Sequence, residues 1–408
     1  MENTASRVQP EVSPPISVFD GVLRKFSRRT NGGRFIPEID GLRFIAIALV
    51  VAYHADGYVQ VKFNLAPKSL IGEIVARLLA HGAFGVAFFF VISGFVLGLP
   101  FARHHLQGSP PVRLKPYFQR RLTRLEPPYI LALILCYLGI VLVGHDPNLR
   151  LRHLFASIFY VHNVLYPSTG TVSPVAWSLE VEVQFYLLVP LLTRVYGIRS
   201  RWLRRGVFAA MGAGVPALQV IPFIGHLPWV THSIIGTLQY FVAGLILVDV
   251  YVADWRDAPK SHVAWDIVWV VGWGVLGYLT EQTLVARLAY PVVTFILYIA
   301  AFRGPIVRRI IRSPLLTTIG GMCYSIYLLH YPIISLVGRV TARLVVHGSY
   351  LVTLVTQTAI YAAVILLICG GYFRLIEQPC MRSDWPSRLK SRILAGLGMA
   401  PRSVGQRG

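Results

Sequence analysis

Apolar residues along this chain fall into long runs that alternate with short segments rich in Arg and Lys. A helix needs about 20 residues to cross roughly 30 Å of hydrocarbon. Runs of that order lie at 42–60, 84–101, 127–144, 176–196, 206–223, 231–250, 263–280, 284–302, 315–337 and 350–373. The pattern predicts an all-α fold, a polytopic integral membrane helix bundle of about ten transmembrane helices. The run at 151–166 stands apart, being short, holding His162 and Asn163, and bounded by Arg152 and Pro167.

Charge decides how that run is read, because cytoplasmic loops carry the excess of Lys and Arg. With ten spans, the strongly basic segments all fall on one side. They are the N-terminal tail, the loop 102–126, the loop 194–205 and the loop 303–314. Counting 151–166 as a span would put the later arginines outside, so it is expected to be a re-entrant or surface element at the outer face. Both termini are then cytoplasmic. The expected organisation is a basic tail over 1–36, a membrane domain over 37–380 and a second basic tail over 381–408. The first 40 residues lack the short apolar core of a cleaved signal peptide, and the tails suit contact with anionic membrane lipids.

The composition agrees, with 55% hydrophobic and 14% charged residues among 408. The net charge of +21 would suit a nucleic-acid partner only if a basic stripe lay on a soluble domain, and the arginines lie between apolar runs instead, so no nucleic-acid partner is expected. Cys136, Cys323 and Cys369 sit inside apolar runs and read as packing residues. No clustered His, Cys and acid residues suggest a metal site.

The first span, "GLRFIAIALVVAYHAD", contains two groups that are costly in hydrocarbon, Arg43 and His54. Eleven helical steps turn through roughly 1100°, close to three full turns, so the two side chains share a face, and they lie about 16 Å apart along the axis. Polar groups at such depth face a bundle interior or a wet cavity. A headgroup anchor and a bonded core histidine are the alternative readings. Asp40, just before the run, is expected to cap the helix. In "VAWSLEVEVQFYLLVPLL", Glu180 and Glu182 point about 200° apart. Glu182 would lie about 9 Å from the outer end of its span and His54 about 14 Å from that face, depths that allow a pair. A carboxylate there would orient a basic or nucleophilic imidazole; equally, both acids could sit in interfacial water. Arg120, Arg121 and Arg124 in "YFQRRLTRLEPPY" suit either topology anchoring or phosphate binding. Ser93 and Gly94 in "FGVAFFFVISGF" allow close helix approach around a narrow passage. His330 in "GMCYSIYLLHYPI" lies about 24 Å along its span and, taken alone, reads as a satisfied interface histidine.

Together with "EIDGLRFIAIALVVAYHA" and "RLIEQP", these stretches run in order from about 37 to 380, and the chain resembles the integral membrane acyltransferase-3 family of bacterial O-acylating enzymes. The resemblance implies that Arg43 and His54 form the family's arginine–histidine motif and that Glu182 is the acid of its tryptophan-serine-leucine motif, so that the three are the expected catalytic groups. Arg120, Arg121 and Arg124 would hold the phosphates of acyl-CoA, with acetyl-CoA as the co-substrate and no permanently bound cofactor. Ser93, Trp177 and His330 are expected to meet the substrate. The implied partners are a carbohydrate or glycolipid acceptor and the lipids of the bacterial inner membrane. Some relatives append an extracytoplasmic esterase-like domain; the chain ends at Gly408 without one and is expected to complete transfer in its membrane core. The rival expectation is a transporter or flippase of a lipid-linked glycan, which would use interior polar residues as a path.

Overall fold

A computed structural model describes residues 26, 35–142, 147–166, 171–219, 221, 228–279, 284–346, 348–382, 385, 387 and 391. Most of the two expected basic tails therefore lies outside the described residues. Every regular element among those described is helical. The described parts of the ten apolar runs are mostly helical, the run 315–337 being split between two helices, and among the described residues six helices are long and apolar enough to cross a membrane, or seven when a bent pair counts as one. The segment around 151–166 forms two short helices, α5 (Pro147–Ile158) and α6 (His162–Leu165), too short to span.

The first helix, α1 (Pro37–Lys62), opens on Pro37 with Glu38 and Asp40 in its first turn. Proline's fixed φ suits that place and acids there meet the positive end of the helix dipole. Asp40 is thus inside the helix and does not cap it, because the helix begins at Pro37, five residues before the apolar run; its carboxylate pairs with Arg43 one turn on. A short helix α2 (Leu70–Ala80) leads through a tight turn into α3 (Gly85–Gln107), which ends at Gly108 in the left-handed conformation that glycine adopts without strain. Then come α4 (Leu114–Leu142), α5, α6, α7 (Trp177–Leu192), α8 (Arg201–Gln219) and α9 (Ile234–Asp249). The remainder is α10 (Ala264–Tyr278), α11 (Leu284–Arg303), α12 (Pro305–Ile311), α13 (Pro314–Gly321), α14 (Cys323–Val340) and α15 (Tyr350–Tyr372).

Two close helix contacts place the site. Helices α3 and α9 touch backbone to backbone: a Cβ on Gly94 would lie 2.2 Å from the Phe241 carbonyl oxygen, and one on Gly244 would lie 2.2 Å from that of Val91. Small residues let spans pack this way where no hydrophobic effect drives helices together. Helix α13 crosses α1 just as closely at Gly320, whose Cβ would overlap the Asp40 carbonyl. At Met322 the chain then bends by 71° into α14, turning the start of α14 toward the interior. Phe88, Phe95, Phe185 and Phe241 are fully buried at the centre, while Leu187, Leu336 and Leu367 are 66%, 66% and 77% exposed on the flanks, as a lipid-facing surface requires.

Candidate active site

A chamber lies where α1, α3, α4, α7 and α14 converge with the turn after α15. Its walls carry charge that the hydrocarbon interior tolerates only when paired or hydrated. From α1 comes Arg43, held by Asp40. From α3 comes Ser93, whose hydroxyl donates to Glu182 Oε1 on α7 at 2.6 Å. From α4 come Arg121, its guanidinium 6.0 Å from the Tyr186 ring centroid, and Arg124, whose Nε is buried without a hydrogen-bond partner among the described residues. The last acid, Glu377, belongs to a single π-helical turn, Phe373–Glu377, at the end of α15. It is 1% exposed and accepts from the Ser325 backbone N–H at 3.1 Å and the Ser325 hydroxyl at 2.6 Å. Tyr324 donates to the Leu125 carbonyl at 2.8 Å, tying α14 to α4.

The two histidines form a second group. The His54 ring lies 5.2 Å from that of His330 and 5.2 Å from that of Tyr331. His330 is fully buried, with Nδ1 at 3.0 Å from the Ile326 carbonyl and 2.8 Å from the Tyr327 carbonyl. Carbonyl oxygens only accept, so Nδ1 carries the hydrogen. In the neutral ring Nε2 is then a free lone pair, and it has no hydrogen-bond partner among the described residues. Tyr327 belongs to both groups: it lines the chamber, its ring lies 5.8 Å from His330, and its hydroxyl is bonded to Ser178 Oγ at 2.6 Å and to the Val175 carbonyl at 3.1 Å.

The residues singled out in the sequence thus divide. Arg43, Ser93, Arg121, Arg124 and Glu182 meet in the chamber; Arg120 is exposed outside it. His54 and His330 meet each other, and neither is among the chamber's lining residues. The His54–Glu182 pair expected from depth gives way to His54–His330 and Ser93–Glu182, because the bent α14 brings an imidazole beside His54 and α3 brings a hydroxyl to the acid. Trp177 lies at the start of α7, with its ring 5.0 Å from that of His232 and its carbonyl accepting from Asn163 Nδ2 at 3.1 Å. Glu180 is not in interfacial water: it is 1% exposed and accepts the Asn163 backbone N–H at 2.9 Å. Sequence reasoning missed Glu377, Tyr186 and Tyr327 as chamber residues and read Cys323, which also lines it, as packing. An acid at the end of an apolar run was the available signal for Glu377; tyrosines in such runs give none.

A family model described as an acyltransferase domain, acyltransferase-3, matches residues 36–374. O-acetyltransferase OatA of Staphylococcus aureus strain NCTC 8325 / PS 47 is 28% identical over 382 residues, covering 86% of this chain and 58% of the relative; OatA of strain COL matches to the same extent. The SACOL0978 sequence of strain COL is 27% identical over 337 residues, covering 74% of this chain and 51% of the relative. The chain therefore spans little more than half the length of the curated relatives it matches. No solved structure matches it. With the match running from the start of α1 to the π-helical turn, the chain belongs to the acyltransferase-3 family.

Proposed function

We propose that this protein is a bacterial inner-membrane O-acyltransferase that moves an acyl group, in the simplest case acetyl, from cytoplasmic acyl-CoA to a hydroxyl of a carbohydrate or glycolipid acceptor at the outer face. The observation that carries the reading is a chamber of arginines and carboxylates inside an apolar bundle, joined through one tyrosine to the buried His330 and, beside it, the half-buried His54. In this reading the membrane domain covers 37–380 with ten spans, and its basic tails face the cytoplasm.

The donor's diphosphate pairs with Arg121, with Arg120 outside it, and the pantetheine arm enters past Arg124, whose unpartnered Nε is a free donor. The thioester passes Tyr327 to reach the histidines. There the imidazole of His54 takes the proton of the acceptor hydroxyl as the oxygen attacks the thioester carbonyl. The tetrahedral oxyanion collapses, the carbon–sulfur bond breaks, and the thiolate recovers the proton from the imidazolium. In the covalent route the imidazole nitrogen instead attacks the thioester and expels the thiolate; the acceptor oxygen then attacks the acyl group, the carbon–nitrogen bond breaks, and the hydroxyl proton goes to the thiolate. His330 would accept from the protonated ring through Nε2, and Glu182 and Arg43 would balance charge along the entry path. Ser93 lies on that path, and Trp177 lies toward the acceptor.

Purified protein supplied with acetyl-CoA and a surface-glycan acceptor is expected to release free CoA thiol, and His54→Ala to abolish the release while the protein remains in the membrane. Full activity in that variant would remove the catalytic role from His54. A flippase or transporter of a lipid-linked glycan would move the acceptor and release no thiol.

A further inference from the structure

A second cavity opens at the basic end of the bundle between the last turns of α3, the start of α4 and the end of α7, with the exposed Leu187 and Leu191 on its rim. All three helices also line the chamber, and on α4 and α7 the same side serves both spaces. On α4, Leu114 and Phe118 line the cavity, and Arg121 and Leu125 line the chamber; separations of four, three and four residues put them on one stripe. On α7, Glu182 and Tyr186 line the chamber, and Pro190, one further turn along, lines the cavity. The stripe on α4 therefore leads from the cavity to the chamber, about 16 Å along the axis from Leu114 to Leu125.

The cavity has the chemistry of a nucleotide site. Phe101 and Phe118 supply aromatic walls, on which a purine can stack. Arg194 supplies positive charge, His104 and His105 supply ring nitrogens, and no acidic side chain is among its lining residues. The His104 ring is fixed by its Nδ1, which donates to the Ser109 carbonyl at 2.7 Å. We infer that this cavity holds the nucleotide end of the donor, the adenosine with its ribose phosphate, so that the diphosphate falls at Arg121 and the pantetheine arm follows the α4 stripe inward. The inference rests on the acyl-CoA donor proposed above.

The test uses the full chain in lipid nanodiscs, with adenosine 3′,5′-bisphosphate as the probe. Two variants act in different ways: Phe118→Ala removes an aromatic wall, and His105→Glu sets a carboxylate against the phosphate. Each is expected to weaken binding of the bisphosphate by about tenfold, the equivalent of one stacked base. In turnover, the loss of kcat/KM is expected to be about fivefold greater for acetyl-CoA than for acetyl-pantetheine, which lacks the nucleotide. No binding of the bisphosphate to the unaltered protein, affinity in both variants unchanged from that of the unaltered protein, or equal losses with the two thioesters would overturn the inference. So would co-purified phosphatidylglycerol that is lost from the variants while nucleotide affinity stays unchanged, an outcome that assigns the cavity to lipid. Bisphosphate binding that the variants weaken, in a protein that releases no thiol, would leave the nucleotide site standing and remove the proposed reaction alone.

Discussion

At the scale of single residues, the arginine motif is not one unit. Arg121 reaches the chamber and Arg120 is exposed, so the two are expected to differ on replacement. A charge-assisted hydrogen bond contributes about 1.5–3 kcal/mol, so Arg121→Ala is expected to raise the Michaelis constant for acetyl-CoA by at least about tenfold. Arg120→Ala is expected to change it by less than about threefold, the scale of an exposed ion pair. Initial rates across a donor series measure both, and equal effects would remove the distinction. Tyr327 is the other informative residue. Because it stands between the chamber and His330 with its hydroxyl tied to Ser178, Tyr327→Ala is expected to widen the passage. Propionyl- and butyryl-CoA should then gain turnover relative to acetyl-CoA, whereas Tyr327→Phe, which keeps the ring, should leave the preference as it was.

At the scale of elements, the site depends on helices held closer than side chains allow. Gly94 and Gly244 make that contact between α3 and α9, and the atoms they meet are backbone, which has no rotamer in which to retreat. Gly94→Val is therefore expected to cost about 1–3 kcal/mol or more by overpacking and to lower the melting temperature of the detergent-solubilised protein. Gly139→Ala on α4 is the contrast: a Cβ there meets nothing within 4 Å, and alanine is favoured over glycine in a helix by up to about 1 kcal/mol, so stability is expected to hold or rise. The break at Met322 and the π-helical turn at 373–377 are the other devices of this scale. The bond from Ser325 to Glu377 clamps one to the other, which places Glu377 in the chamber wall.

At the scale of the whole molecule, the short elements α5 and α6 are held to each other by a histidine pair, and α6 is held to α7 through Glu180. His153 Nδ1 and His162 Nε2 lie 2.8 Å apart with the Tyr166 ring against both, and the buried Glu180 holds the next backbone N–H. One nitrogen of the pair must donate and the other accept, so two imidazolium rings cannot keep the bond. Burial, and after it His153, pushes His162 down to about 4. The unfolded ring takes its proton near 6.5, so between those values the unfolded chain binds more protons and stability rises with pH. Thermal stability should therefore be full above 6.5, decline as pH falls toward about 4, and then level off. His162→Phe should flatten that slope in a melting series across the same range; an unchanged slope would place the titration elsewhere.

Much of this was legible in the residues themselves. The apolar runs dictated helices of membrane-spanning character, because a backbone in hydrocarbon must satisfy its own hydrogen bonds. Arg43 and Glu182 stood out as charges inside those runs, since a buried charge needs a partner or a cavity, whereas Arg121 and Arg124 stood out as a basic loop at the mouth of a run and, like Ser93, took a site role only from the family resemblance. Their grouping was not legible. Depth along separate helices allowed His54 to meet Glu182, but which side chains touch depends on helix rotation, on the bend at Met322 and on the π-helical turn that carries Glu377. Periodicity within one helix carries no information about the rotation of its neighbour. Only the packed bundle decided that the arginines and acids share one chamber, and that the two histidines stand together beyond Tyr327.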